Sequence, residues 1–178
     1  MRRNFFRLLV FCGLCVLISC NTKPKRVVTA EDIRKYEERN IEVNREIVKL
    51  KQDTIRQFVE DNNLSMQKTG SGLWYSIQPS GDTMRIQKND IVRLSYSLSL
   101  LNGKYCYSSD SLGVKEFKVG QGGVESGLEE AILLLHKGDT ADLIIPPHLA
   151  HGLIGDQNKI PVLAILRYNI VVQDVKRN

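Results

Sequence analysis

His148 and His151 form a His-x-x-His pair, and Asp142 or Asp156 could supply the third ligand of a metal site. The pair follows Pro146-Pro147, which places both imidazoles on a loop, where this spacing is a weak metal motif. No metal or other cofactor is expected. Cys106 is a second candidate, since a thiol beside a histidine can become a thiolate nucleophile. A thiol on a β-hairpin behaves instead as a small, inert apolar side chain, and the turn signals around Cys106 favour that reading.

Those groups need a scaffold, and the totals describe one. The chain has 178 residues, 42% hydrophobic and 25% charged, a balance that suits one globular domain with extensions and excludes both disorder and a multi-span membrane protein. The formal charge is +5, but Arg2, Arg3 and Arg7 lie in an N-terminal segment expected to be removed, and 25 − 3 leaves 22 basic against 20 acidic residues. The remaining charges are interspersed without an aromatic-studded basic stripe, so no nucleic-acid partner is expected.

The segment Met1 to Cys20 has a basic start and an apolar run from Leu8 to Ile18. That run, about 11 residues, is too short to span a hydrocarbon core of about 30 Å and reads as a signal peptide. Its end, Leu17-Ile18-Ser19-Cys20, resembles the lipobox of bacterial lipoproteins, which implies cleavage after residue 19 and lipid on Cys20. An uncleaved anchor or a plain secretory signal is the alternative. Cys12 and Cys15 would leave with the signal, so Cys106 stands alone and no intramolecular disulfide is expected. Asn21 to Val28 contains Lys23, Lys25 and Arg26 and no acid, which suits a tether near anionic headgroups.

Thr29 and Asp32 form a capping box, and Ile33, Tyr36, Val43, Ile47 and Leu50 then follow helical spacing, with Ile55, Phe58 and Val59 as a second stripe. The pattern predicts a helix to about Asn62, broken at most once. Its stripe reads as a dimerisation seam, as a spacer from the membrane, or as a face packed on its own domain. From Gly70 the pattern turns to strands. Val92, Leu94, Tyr96, Leu98 and Leu100 alternate with Arg93, Ser95, Ser97 and Ser99, and Asn102-Gly103 predicts a hairpin returning through Lys104 to Ser108. Further strands are expected at 73–77, 116–119, 140–145 and 162–175. One helix interrupts them: Ser126 is placed to cap it, Glu129 lies three residues on, Leu128, Ala131, Ile132 and Leu135 share a face, and Gly138 ends it. The fold class is α+β, an antiparallel β-sheet wrapped around one short helix.

In order and with compatible spacing, Tyr96, Ser108-Ser109, Phe117 to Gly120, Val124, Gly127 to Glu130, Gly138, Ile145-Pro146-Pro147, Ala150-His151-Gly152, Ile160-Pro161 and Tyr168 resemble the FKBP-type peptidyl-prolyl isomerases. The resemblance covers about Leu73 to Val175. The whole layout is similar to the FKBP-type lipoproteins of Bacteroidetes, including the gliding-motility-associated ones. It implies a signal peptide over 1–19, a lipidated tether over 20–28, a helical stalk over 29–69 and an FKBP-like domain over 70–178.

Rotation about an X-Pro bond meets a barrier of about 18–20 kcal/mol from amide resonance. It needs no nucleophile or metal, since a dry pocket that prefers the twisted amide and aims hydrogen-bond donors at the carbonyls lowers it. The resemblance places Tyr96, Val124, Ile160 and Tyr168 around the prolyl ring, with Tyr107 and Phe117 beside them. It gives the backbone N–H of Glu125 to a substrate carbonyl. Tyr96 and Tyr168 also read as plain core aromatics. The sequence departs from the family at Cys106-Tyr107 for Phe-Asp, Lys115 for an aromatic residue, Glu125 for Ile, Leu128 for the floor Trp and His151 for a donor Tyr. These changes imply a shallower pocket with a more polar rim, on which Lys115 and Glu125 could pair, and an imidazole N–H as donor.

The resemblance implies an isomerase of weakened activity that assists folding of exported envelope proteins, with proline-containing or unfolded polypeptides as partners. A non-catalytic chaperone or scaffold of the same fold is the alternative. The expected location is the bacterial cell envelope, lipid-anchored on the periplasmic face of the outer membrane, with a homodimer through the N-terminal helix as a further expectation.

Overall fold

The computed structural model describes residues 28–177. The expected signal peptide, Cys20 and the expected tether as far as residue 27 lie outside the described residues. The chain divides into two compact units, the first ending at Arg39 and the second beginning at Asn40. No helix among the described residues is long and apolar enough to cross a membrane.

Helix α1 (Ala30–Asp61) starts in the first unit and ends in the second. At its start the Asp32 N–H donates to Thr29 Oγ1 at 3.2 Å and the Thr29 N–H donates to Asp32 Oδ2 at 3.0 Å, the reciprocal cap expected of this pair. The helix runs unbroken, within the expectation of at most one break, because no glycine or proline interrupts residues 30–61. Asn63 ends the helix in the left-handed region at φ 51°. The Leu64 N–H donates to Val59 O and the Asn63 N–H to Glu60 O, a Schellman closure whose apolar contact is made by Leu64 and Val59.

In the second unit, β1 (Gln67–Lys68), β2 (Trp74–Gln78), β3 (Ile91–Leu100), β4 (Tyr105–Ser108), β5 (Lys115–Lys118), β6 (Thr140–Ile145) and β7 (Leu166–Lys176) form one antiparallel sheet in the order β1-β2-β6-β7-β3-β4. One edge of β3 is shared, with Arg93 opposite Glu116 of β5 and Leu98 opposite Tyr107 of β4. The one-turn helix α2 (Ser109–Leu112) bridges the gap between those partners, and the Tyr96 N–H donates to Ser109 Oγ at 3.2 Å. The α2 turn and the 3-10 turn Pro147–Leu149 are additional to the one helix expected. The hairpin at Asn102-Gly103 forms, but through residues 101–104, with Gly103 at φ 85°.

Helix α3 (Ser126–Ile132) differs from its prediction at both ends. Ser126 does not cap it: the capping position falls on Glu125, and Ser126 Oγ donates to Leu149 O. The helix stops at Ile132 rather than Lys137. Leu135 O accepts the Ile86 N–H and His136 bridges Arg85, pulling the chain out of helical geometry. Gly127 lets the helix lie close to β6, for a Cβ there would stand 2.5 Å from Ile145 Cγ2.

Successive residues of β6 face opposite ways. Leu143 and Ile145 join the cluster containing Leu128, Ala131 and Ile132 of α3, whereas Ile144 joins Ile55 and Val59 of α1. Gln52 secures the α1 side, donating to Gly72 O at 2.8 Å and accepting from the Trp74 indole at 3.1 Å. The segment expected as a stalk therefore buries Gln52, Ile55 and Val59 in the second unit: Ile55 and Val59 because an apolar side chain of that size gains about 1.5–3 kcal/mol on leaving water, and Gln52 because its amide is hydrogen-bonded there.

Candidate active site

Strands β3 and β7, the β4–α2–β5 crossing, the residue before α3 and the loop after β6 surround a cavity of about 320 Å³. Tyr96 and Tyr168 face each other across the β3–β7 pair with ring centroids 6.1 Å apart. Both are buried, so these aromatics are at once core and cavity wall. Tyr107 lines another side, its hydroxyl donating to Asp156 Oδ2. Asp156 also shapes the loop that delivers Ile160: its Oδ1 accepts the N–H groups of Asn158 at 2.9 Å and Ile160 at 2.7 Å. Gly155 permits this tight loop at φ 69°, where a Cβ would meet Ile160 O at 2.3 Å.

Glu125 sits on the short segment that Glu129 restrains, for the Glu129 carboxylate accepts the N–H groups of Gly120 at 2.5 Å and Gly122 at 3.1 Å. Its side chain was expected on the rim, but it is 8% exposed and turns inward. The Tyr168 hydroxyl donates to Glu125 Oε1 at 2.8 Å, and His151 Nε2 lies 3.3 Å from the same oxygen. Lys115 Nζ is 3.9 Å from Glu125 Oε2, so the expected pair forms, inside the cavity. A turned-in carboxylate is tolerated because a phenol, an imidazole and an ammonium surround it.

Burial and the neighbouring Glu125 carboxylate push the Tyr168 phenol far up, so it remains a hydrogen-bond donor. For Asp156, burial works against ionisation, but the bonds from Tyr107, Asn158 and Ile160 outweigh it and hold the carboxyl below its ordinary value. Burial pushes the Cys106 thiol up, and its side chain is fully buried, so it is an apolar packing residue rather than a nucleophile. His148 Nε2 lies 2.9 Å from Ser71 O while His151 faces Glu125, so the two imidazoles serve different partners.

The structure thus brings together Tyr96, Tyr107, Glu125, His151, Ile160 and Tyr168. Val124 lines an adjoining depression with Gly122, Gly123 and Ala150. Phe117 and Leu128 do not line the cavity: both belong to the buried core cluster, Leu128 being fully enclosed. Leu98 and Leu112 complete the walls and were missed. Leu98 carried a signal, sharing the alternating face of Tyr96. Leu112 carried none, because its place depends on the α2 turn. His151 was expected to offer an N–H to substrate, yet its Nε2 is directed at Glu125.

A sheet curled over one helix, with an aromatic-walled cavity where the β3 edge changes partner, defines a class that comparison identifies. The family model for FKBP-type peptidyl-prolyl cis-trans isomerases matches residues 82–173, over half of the chain. The chain belongs to the FKBP-type peptidyl-prolyl cis-trans isomerase family. A probable FKBP-type peptidyl-prolyl cis-trans isomerase of Haemophilus influenzae is 34% identical over 111 residues, covering 62% of this chain and 45% of that protein. FK506-binding protein 2 of Dictyostelium discoideum is 36% identical over 85 residues, covering 47% and 64%. The chain therefore spans less than two thirds of the length of these curated relatives. Among solved structures, AtFKBP13 aligns with TM-score 0.59 at 28% identity, covering 64% of this chain and 99% of that one. FkpA from Escherichia coli aligns with TM-score 0.60 at 23% identity, covering 92% and 81%, a likeness of fold.

Proposed function

We propose that this protein is a peptidyl-prolyl cis-trans isomerase, held in a bacterial envelope by lipid on Cys20 and acting on exported polypeptides. The observation that carries the reading is the cavity walled by Tyr96, Tyr107, Ile160 and Tyr168. A prolyl ring between those walls leaves water, and the less conjugated, twisted amide gains most from such surroundings. The backbone N–H of Glu125, on the restrained segment ahead of α3, supplies a carbonyl contact. Activity on uncharged prolyl peptides is weak, because Glu125 and Lys115 put charge where an apolar ring must enter.

A protease-free isomerisation assay on proline tetrapeptides tests this: the full chain in detergent accelerates cis-to-trans conversion above the spontaneous rate at micromolar protein. No acceleration rejects the isomerase. That outcome, together with slowed aggregation of an unfolded client, supports the second reading, a non-catalytic chaperone or scaffold, which the ionic groups in the cavity favour.

Periplasmic placement at the outer membrane belongs to the same proposal and rests on the lipobox and on the absence of acids from Asn21 to Val28. The variant C20A is expected to leave the membrane fraction. A homodimer through α1 finds support in the exposure of Ile33 and Tyr36 in the first unit and of Val43 and Leu50 in the second.

A further inference from the structure

Lys115 projects from β5 into the cavity, where its ammonium lies 5.1 Å from the Tyr96 ring centroid and 5.8 Å from that of Tyr168. Its third neighbour is Glu125 Oε2, at 3.9 Å. Two aromatic faces beside a carboxylate, withdrawn from water, are the surroundings that bind ammonium and guanidinium groups. Lys115 marks where a cation rests in this pocket.

Its hold is loose. A separation of 3.9 Å is too long for a hydrogen bond, and Glu125 Oε2 is a buried acceptor with no hydrogen-bond partner. The surrounding groups are otherwise engaged: Tyr168 and His151 serve the other Glu125 oxygen, Asp156 is bonded to Tyr107 and its own loop, and Lys159 donates to Cys106 O. Lys115 itself is 27% exposed on a flexible stem and has a short path to solvent. A prolyl residue entering the cavity must move that ammonium aside. An apolar client then leaves the Glu125 carboxylate buried beside an unfilled place, a costly state. A client that brings its own cation restores the neutral arrangement.

We propose that Tyr96, Tyr168 and Glu125 form a cation subsite within the prolyl pocket, occupied by Lys115 in the free protein, and that a Lys or Arg side chain next to the client's proline takes it over. The subsite selects basic prolyl segments over neutral ones. It rests on the reading of the cavity as a prolyl pocket.

The test uses the full chain in detergent and tetrapeptides that differ only in the residue before proline: Lys, Arg, norleucine or Glu. Isomerisation is followed without protease, and binding of the same peptides by calorimetry. The Lys and Arg peptides are expected to exceed norleucine by about tenfold in kcat/KM and in affinity, the scale of one desolvated cation contact, with Glu weakest. E125Q is expected to abolish the preference. K115M, which keeps the stem and empties the subsite, is expected to widen it, and keeps the test intact if E125Q fails to fold. Norleucine and Lys peptides turned over or bound equally by wild type and K115M overturn the subsite while leaving the prolyl pocket standing. No turnover and no binding of any peptide overturn the prolyl pocket itself and the subsite with it.

Discussion

Two concave regions of the second unit differ in size and in what lines them. Against α1, a cavity of about 530 Å³ is bordered by Lys51, Thr54, Phe58, Asp61 and the 161–165 segment. Between β3, β7 and the loops, the smaller one of about 320 Å³ gathers three tyrosines, Glu125, Asp156, His151 and Lys115. Volume alone points to the first. Yet Lys51 and Asp61 make no ion pair with each other, whereas in the second Tyr168 and His151 share one carboxylate and Tyr107 engages another. The contrast locates a site by convergence of aromatic faces and oriented polar groups, which fix a ligand's position, rather than by empty space, which fixes nothing.

If the α1 side is structural and the aromatic cavity functional, variants should separate along that line. The largest effect is expected from Ile55→Ala. Ile55 is fully buried against Ile144, and its truncation should lower unfolding free energy by about 3 kcal/mol in a denaturant titration. The protein that remains folded should isomerise prolyl peptides at the parental rate. Loss of turnover in that folded protein would erase the distinction.

Asp139 provides a second measurement, at the turn entering β6. Burial opposes its ionisation, but the N–H groups of Ser80 at 2.7 Å and His136 at 2.8 Å outweigh that and hold its carboxyl below the ordinary 3.8. The folded value is depressed, so its contribution is full above about pH 4 and is lost as pH falls below 3.8 through the folded value. Asp139→Asn should cost about 2 kcal/mol at neutral pH, and its melting temperature should converge with that of the parent as the pH is lowered through this range. Curves that stay parallel would remove Asp139 from the acid response.

The smallest effect on stability is expected at the cavity. Tyr168→Phe removes the donor to Glu125 Oε1 and leaves His151 as that oxygen's remaining partner. Stability should fall by about 1 kcal/mol, while kcat/KM on prolyl peptides falls several-fold. A loss of stability without change in turnover would make Tyr168 a core residue alone.

Much of the framework was readable in the chain itself. The alternation from Val92 to Leu100, the strand at 140–145 and the Thr29–Asp32 cap all appear where expected, because each depends on neighbours within a few residues. Likewise, Tyr96, Ile160 and Tyr168 were legible through an ordered resemblance to a family, whereas Tyr107 stands where the sequence departs from that family. The end of α3 was not, since its last expected turn is taken by bonds to Ile86 and Arg85, far away in sequence.

Composition, periodicity and short motifs determine by themselves an α+β chain with a capped N-terminal helix and a polar-faced β3, since side-chain period and capping are local properties. Tertiary structure decided where the charges go. Lys115 on β5, Glu125 before α3 and Tyr168 on β7 meet because β3 pairs with both β5 and β7. No local rule foretells whether a carboxylate at position 125 faces water or the cavity, because that depends on whether distant donors are there to receive it.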